Sequence, residues 1–220
     1  MIERDGFMET RAVSSVPVRT LTAEDTIVAL GTPLGGFVHS TDTSVETALY
    51  YIRNGSGTCT LPWGNAPLWA QALIPTTVAD LRTWATKHDI DDFDDAAHWL
   101  IDHHLWLVWP QDSESTHVAF KTIRAMSTGV GLGNTLEDPG RFVIANLAGD
   151  PVLEADGVRY MAWTCMDGNH TLFDVATQVA DLLPIDVGTV VARLADGFLV
   201  NCRTTTVVVL EWAGTESRPG

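Results

Sequence analysis

"LWAQALIPTTVADL" (Leu68–Leu81) and "AWTCMDGNHTLFDV" (Ala162–Val175) are the two stretches whose reading decides the fold. The first carries a Trp and then Pro-Thr-Thr, the second a Trp and then Asp-Gly-Asn-His-Thr, and in each two apolar residues three apart follow. With Trp163 set over Trp69, Thr171 falls on Thr77, Leu172 on Val78 and Val175 on Leu81. The same offset, kept without a gap, sets Asp186 over Asp92, Val187 over Phe93, Val191 over Ala97, Leu194 over Leu100 and Leu199 over Leu105. Backwards, it sets Val143-Ile144 over Leu49-Tyr50 and Glu154-Ala155 over Thr60-Leu61. Apolar meets apolar at nearly every core-type position, and the capping positions match too. A period this long reads as two copies of one domain, because solenoid units are shorter.

Each copy yields the same series of elements. A β-hairpin comes first: "ALYYIR" and "TCTLP" flank Asn54-Gly55-Ser56-Gly57, and Asn-Gly is a strong turn signal. In the second copy "RFVIAN" and "PVLEA" flank Leu147 to Asp150. A short helix then surrounds each Trp, with Asn65 and Asp156 as expected caps and Pro67 in the first turn. A second helix starts after Thr77 or Thr171, its apolar residues on one face. A third starts after Asp92 or Asp186, where Phe93, Ala96, Ala97 and Leu100 repeat Val187, Val190, Val191 and Leu194. An Asp at these caps accepts free backbone N–H bonds and complements the helix dipole.

After each third helix a strand pair is expected: "LWLVW" with "THVAFKTI", and "FLVNC" with "TVVVLEW". Three helices and a hairpin make a winged helix-turn-helix. The expected class is α+β, with two tandem winged-helix domains at residues 21–124 and 126–220, preceded by a polar arm at residues 1–20. The last residues, "GTESRPG", read as a frayed end.

The second copy runs hairpin, Trp163, Asp167-Gly168, Thr171, amphipathic helix, Asp186-led helix, Gly197, then Phe198-Leu199-Val200. This order resembles PqqD-like domains, the peptide-recognition elements of ribosomal-peptide modification systems. The resemblance covers some 60 residues of each copy, and its sharp element is the D-G-x-x-T turn. The first copy has Leu73-Ile74-Pro75-Thr76 there instead. PqqD-like domains are usually single and often stop near the third helix, whereas this chain has two copies and adds strands. The resemblance implies a role in binding a leader-type peptide as an added strand beside the hairpin. Main-chain pairing would supply affinity and side-chain pockets selectivity. In the second copy that groove would use Phe142, Val143 and Ile144 and the helix face near Arg193.

Bulk properties narrow the function. At 220 residues the chain can bury a sizeable core, and its mean hydropathy of +0.09 is that of a globular protein. No apolar run is long enough to span a bilayer, and "MIERDGFMETR" lacks the apolar core of a secretory signal, so a cytoplasmic location is expected. Cys59, Cys165 and Cys202 include no C-x-x-C pair and read as reduced apolar fillers, Cys165 beside the core Trp and Cys202 in a wing strand. Only 13 Lys and Arg stand against 28 Asp and Glu, a net charge of -15. Phosphate-backbone binding depends on cationic side chains, so nucleic acid is a disfavoured partner.

Three motifs could carry chemistry. In "KHDIDDFDDAAHWLIDHHLW" (Lys87–Trp106), Asp94, Asp95 and Asp102 lie three or four residues from His98, a spacing that could hold a transition metal. The bland reading, a solvated acidic helix start favoured by the dipole, is preferred. "GVGLGN" (Gly129–Asn134) has the glycines of a phosphate loop, but a turn and a strand follow it and no Lys does; together with "VALGTPLGG" it reads as a structural turn of the repeat. No nucleophile signature occurs and no cofactor motif is found, so an enzyme is not expected. Among the eight Trp residues, Trp69 and Trp163 read as core anchors. Trp84, Trp99, Trp106 and Trp109 crowd one copy, and some of them, Trp99 and Trp106 included, are expected at a contact between copies or at a partner or homodimer surface.

The function read from the sequence is thus a non-catalytic peptide- or protein-binding module. The alternative is a DNA-binding regulator of the winged-helix class. Its third helices would need basic exposed faces, yet one is acidic and the other carries only Arg193; Lys121, Arg124 and Arg203 leave it some room.

Overall fold

The stretch "TIVAL" is a continuous apolar run with β-branched residues, and both of its faces are buried. Successive side chains of a strand point to opposite faces, so such a run must have apolar cover on each. In the computed structural model, which describes residues 20–38 and 48–214, β1 (Thr26–Ala29) sends Ile27 and Ala29 into one hydrophobic core. Val28 and, just past the strand, Leu30 enter a second core. None of the four is more than 1% exposed.

Around β1 the chain forms β2 (Thr32–Val38), β3 (Ala48–Asn54), β4 (Gly57–Pro62), α1 (Ala66–Gln71), β5 (Thr76–Thr77), α2 (Val78–Lys87), α3 (Phe93–Asp102) and β6 (Trp106–Val108). Helix α4 (Ser113–Thr122) follows. Then come β7 (Ile123–Ser127), β8 (Val130–Asn134), β9 (Arg141–Ala145), β10 (Pro151–Asp156), α5 (Gly157–Cys165), β11 (Asp167–Thr171), α6 (Leu172–Leu182), α7 (Val187–Ala195), α8 (Phe198–Thr204) and β12 (Val208–Trp212). The class is α+β, with four antiparallel three-stranded sheets among the described residues: β2-β3-β4, β5-β1-β6, β8-β9-β10 and β11-β7-β12.

Local sequence accounts for the helix starts. The side chains of Thr77, Asp156 and Asp186 accept the backbone N–H three residues on, and Thr171 forms a reciprocal capping box with Asp174. Asn65 and Asp92 stand at cap positions without a side-chain cap bond. Trp69 and Trp163 are buried, and each indole N–H donates to a backbone carbonyl, Leu30 O at 3.2 Å and Val207 O at 3.1 Å.

Three expectations need correction. The wing hairpins do not form. "THVAFKT" lies in α4, where Asp112 caps the first turn, and "FLVNC" lies in α8, so Cys202 is helical. Strands β6 and β12 instead pair with β1 and β7, the central strands of their sheets. The glycine-rich "TPLGGFV" and "VGLGN" are edge strands rather than turns. Each bulges at a half-exposed Leu, Leu34 or Leu132, followed by a Gly at positive φ, Gly35 or Gly133. The gapless offset also fails across the hairpins: Leu61 faces Tyr50 and Ala155 faces Phe142, so the longer Asn146–Asp150 loop moves the first strand by two residues. The shift is even, so the same faces stay buried. Most of the expected N-terminal arm and the end of the chain from Thr215 fall outside the described residues.

The tip of the β3–β4 hairpin fastens one core to the other. Asn54 Oδ1 accepts from Trp212 N at 2.6 Å, and Asn54 Nδ2 donates to His104 O at 2.7 Å. Gly55, at φ 63°, lies so close to the Trp212 carbonyl oxygen that a Cβ there would collide with it. Gly31 N donates to Leu210 O at 2.7 Å, Arg53 pairs with Glu211 at 3.1 Å, and the His104 ring stacks on Trp212 at 3.9 Å.

Leu30→Ala is expected to remove about 2–5 kcal/mol of stability. Because Leu30 completes the second core from a strand of the first, urea unfolding should remain a single transition at a lower midpoint, coincident by circular dichroism and Trp fluorescence. Two separated transitions in the wild-type protein would contradict the shared-core account.

Candidate binding cleft

Helix α5 has two faces. Ala162 and Trp163 enter the second core, whereas Val158, Tyr160, Met161 and Thr164 line a cleft of about 560 Å³. Phe142 of β9 forms part of its wall, with its ring stacked on Tyr160 at 4.5 Å. Leu183, just past α6, and Arg193 of α7 close the remaining sides. The lining is almost entirely apolar apart from Arg193. Its Nη1 lies 3.7 Å from Asp156 Oδ2, and its carbonyl accepts from Arg159 Nε at 3.0 Å. Gly157, the residue that follows edge strand β10, also lines the cleft.

Two residues expected at a groove, Phe142 and Arg193, therefore meet in one cleft. Val143 and Ile144 do not join them. Ile144 is fully buried, and β9 is a middle strand whose backbone is paired with both β8 and β10. An added strand must use an outer edge, β10 or β8.

The position that Arg193 holds on α7 is held on α3 by Trp99. There the cleft, about 530 Å³, is lined by Asn65, Asp89, Asp91, Asp92, Asp95 and Trp99, so it is acidic where the other is apolar. Trp99 is half-buried and stacks on His103 at 3.9 Å, and His103 Nδ1 lies 2.8 Å from Trp99 O. Trp84 and His88 repeat this pairing at 4.1 Å. Trp106 is no partner-contact residue: it is 2% exposed, in the first core, and its Nε1 has no acceptor among the described residues. Trp109 belongs to the second core and so makes the contact between halves.

The His/Asp stretch is dispersed. Asp94 forms two bonds to Arg82, at 2.8 and 2.9 Å, and these hydrogen bonds hold its carboxyl below the usual range. Among the described residues no group of three or more His, Cys, Asp or Glu side chains is placed to hold a metal, so His98, Asp94, Asp95 and Asp102 form no such group. Burial pushes the Cys202 thiol up to about 12 and raises that of Cys59, which disfavours the nucleophilic thiolate. Arg203, expected in a wing, is buried in α8 and donates to Ala29 O at 3.2 Å and Val208 O at 3.4 Å.

The D-G-x-x-T turn is held by its own acid. Asp167 Oδ1 accepts from the backbone N–H of Asn169 and His170, at 2.8 and 3.1 Å, and Oδ2 lies 3.0 Å from His170 Nδ1. Gly168 supplies the positive φ, 81°, that the turn needs. Desolvation acts to raise the Asp167 pKa, but the hydrogen bonds from Asn169 and His170 outweigh it and bring it from 3.8 to about 2.

The sequence reading missed strands β1 and β7 and the edges that the extra strands β2 and β8 create. The stretch "TIVAL", with three β-branched residues in succession, was a usable signal for β1. In comparisons with known proteins, no family model, no curated protein and no solved structure matches the chain.

Because the folded Asp167 carboxyl titrates below its unfolded value, it stabilises the fold above about pH 4 and loses that contribution as pH falls towards 2. The melting-temperature advantage of the wild type over Asp167→Asn should shrink over that interval. An advantage that stays constant from neutral pH down to about pH 2 would contradict the assigned hydrogen bonds.

Proposed function

We propose that the chain is a non-catalytic peptide- or protein-binding module built from two PqqD-like units in tandem. In this reading an extended segment of the partner lies along the outer edge of β10, and one of its apolar side chains enters the cleft of Phe142, Tyr160, Met161, Leu183 and Arg193. The observation that carries it is that cleft: apolar walls, one cation in its lining, and an outer sheet strand that ends one residue before the lining Gly157. Strand addition uses main-chain bonds for affinity and such pockets for selectivity.

The two runs of elements also support a tandem reading. Pro33 faces Ile52 and Gly35 faces Tyr51, as Gly131 faces Ile144 and Gly133 faces Val143. The acidic lining of the first cleft makes the second the peptide site. The charge arrangement favours a peptide over DNA. Arg203 is committed to buried carbonyls, Arg193 lies beside Asp156, and the first turn of α3 carries Asp94 and Asp95.

The test is selection from a random peptide display library, followed by titration of the enriched peptides. Binding near the micromolar range is expected, weakened roughly tenfold or more by Thr164→Arg, which fills the cleft from an exposed position. Failure to enrich any peptide, or enriched peptides indifferent to Thr164→Arg, would refute the assignment. So would tight, salt-sensitive binding to generic duplex DNA, which would favour the regulator reading.

A further inference from the structure

Arg124 lies in β7 with Thr171 of β11 and Glu211 of β12 opposite it in the sheet. It lines two neighbouring clefts, of about 370 and 300 Å³, and Asn169 lines both as well. Arg53 and Met126 contribute to the larger, Lys121 and Phe173 to the smaller.

The hydrogen bonds around Arg124 are unevenly distributed. Glu211 Oε1 accepts from Arg53 and from Thr32 Oγ1. Asp174 is turned into the cap of α6, where it accepts from Thr171 N and Oγ1. Asp167 is turned into its own turn. Each acid that flanks Arg124 thus directs at least one oxygen to another partner, and none lies within ion-pair distance of Arg124. Arg124 itself makes no ion pair with any described residue, and its Nε is buried without an acceptor. A guanidinium has five donors and no acceptor, and a desolvated N–H left unbonded is costly. In the smaller cleft Lys121 Nζ lies 5.1 Å from the Phe173 ring centroid and likewise has no carboxylate partner among the described residues.

We propose that the two clefts form one site for a small ligand bearing an oxyanion, a carboxylate or a phosphate. The Arg124 fork takes two of its oxygens, Lys121 supplies a second positive charge, and the Asn169 amide donates from the side. Planar two-point recognition of such groups is the chemistry in which arginine exceeds lysine. This site is separate from the apolar cleft and does not depend on the peptide reading.

The experiment titrates the full chain at low ionic strength with inorganic phosphate and, separately, with glutarate. Arginine Nε–H and Asn side-chain signals are followed by NMR. A saturable shift at Arg124 and Asn169 with either probe is expected, and which probe binds tells phosphate from carboxylate. Arg124→Gln should lower the affinity roughly tenfold or more, while Arg141→Gln leaves it unchanged. Lys121→Gln, at an exposed position, should weaken it roughly threefold or more and serves if the Arg124 variant does not fold. No saturable shift up to about 10 mM of either probe would overturn the proposal, as would a shift retained in Arg124→Gln.

Discussion

One four-residue strand governs how the rest is arranged. Because β1 is apolar on both faces, it cannot sit at the surface of either half. Ile27 and Ala29 complete one core, Val28 and Leu30 the other, so the sheet β5-β1-β6 is a partition with hydrophobic packing on each side. The second core also takes Trp109 and Phe120 from the segment that leads out of the first half. The halves are therefore not beads on a linker, and burial in one depends on the position of the other.

Polar contacts fix the angle at which the halves meet. Apolar packing is not directional, but hydrogen bonds are. Asn54 uses both ends of its amide, on Trp212 N and His104 O, while Arg203 and Gly31 reach backbone carbonyls across the junction. The Asn-Gly turn thus has two roles. It reverses the hairpin, and its missing Cβ lets the tip approach the Trp212 carbonyl.

The halves put clefts at like positions and line them with unlike chemistry. Where the second presents Leu183 and Arg193, the first presents Asp89 and Trp99. A change of a few side chains on one framework alters what a cleft accepts without altering the strands and helices that hold it. The resemblance to PqqD-like domains pointed to Phe142 and Arg193 for a groove, and both line one cleft. Ile144 and Trp106 are instead buried, Ile144 in the second core and Trp106 in the first.

The sequence by itself determined helices α1 to α3 and α5 to α7, and the starts of four of them. Periodicity of 3.6 residues and caps such as Thr77, Thr171, Asp156 and Asp186 act within a single turn of chain, so they can be read locally. Tertiary structure alone decided the fate of "FLVNC" and "THVAFKT". Both are apolar enough for strands, but β1 and β7 accept their last partners from β6 and β12, and the remaining residues close as α8 and α4. Strand pairing joins residues far apart in the chain, so no local pattern could choose among the candidate partners.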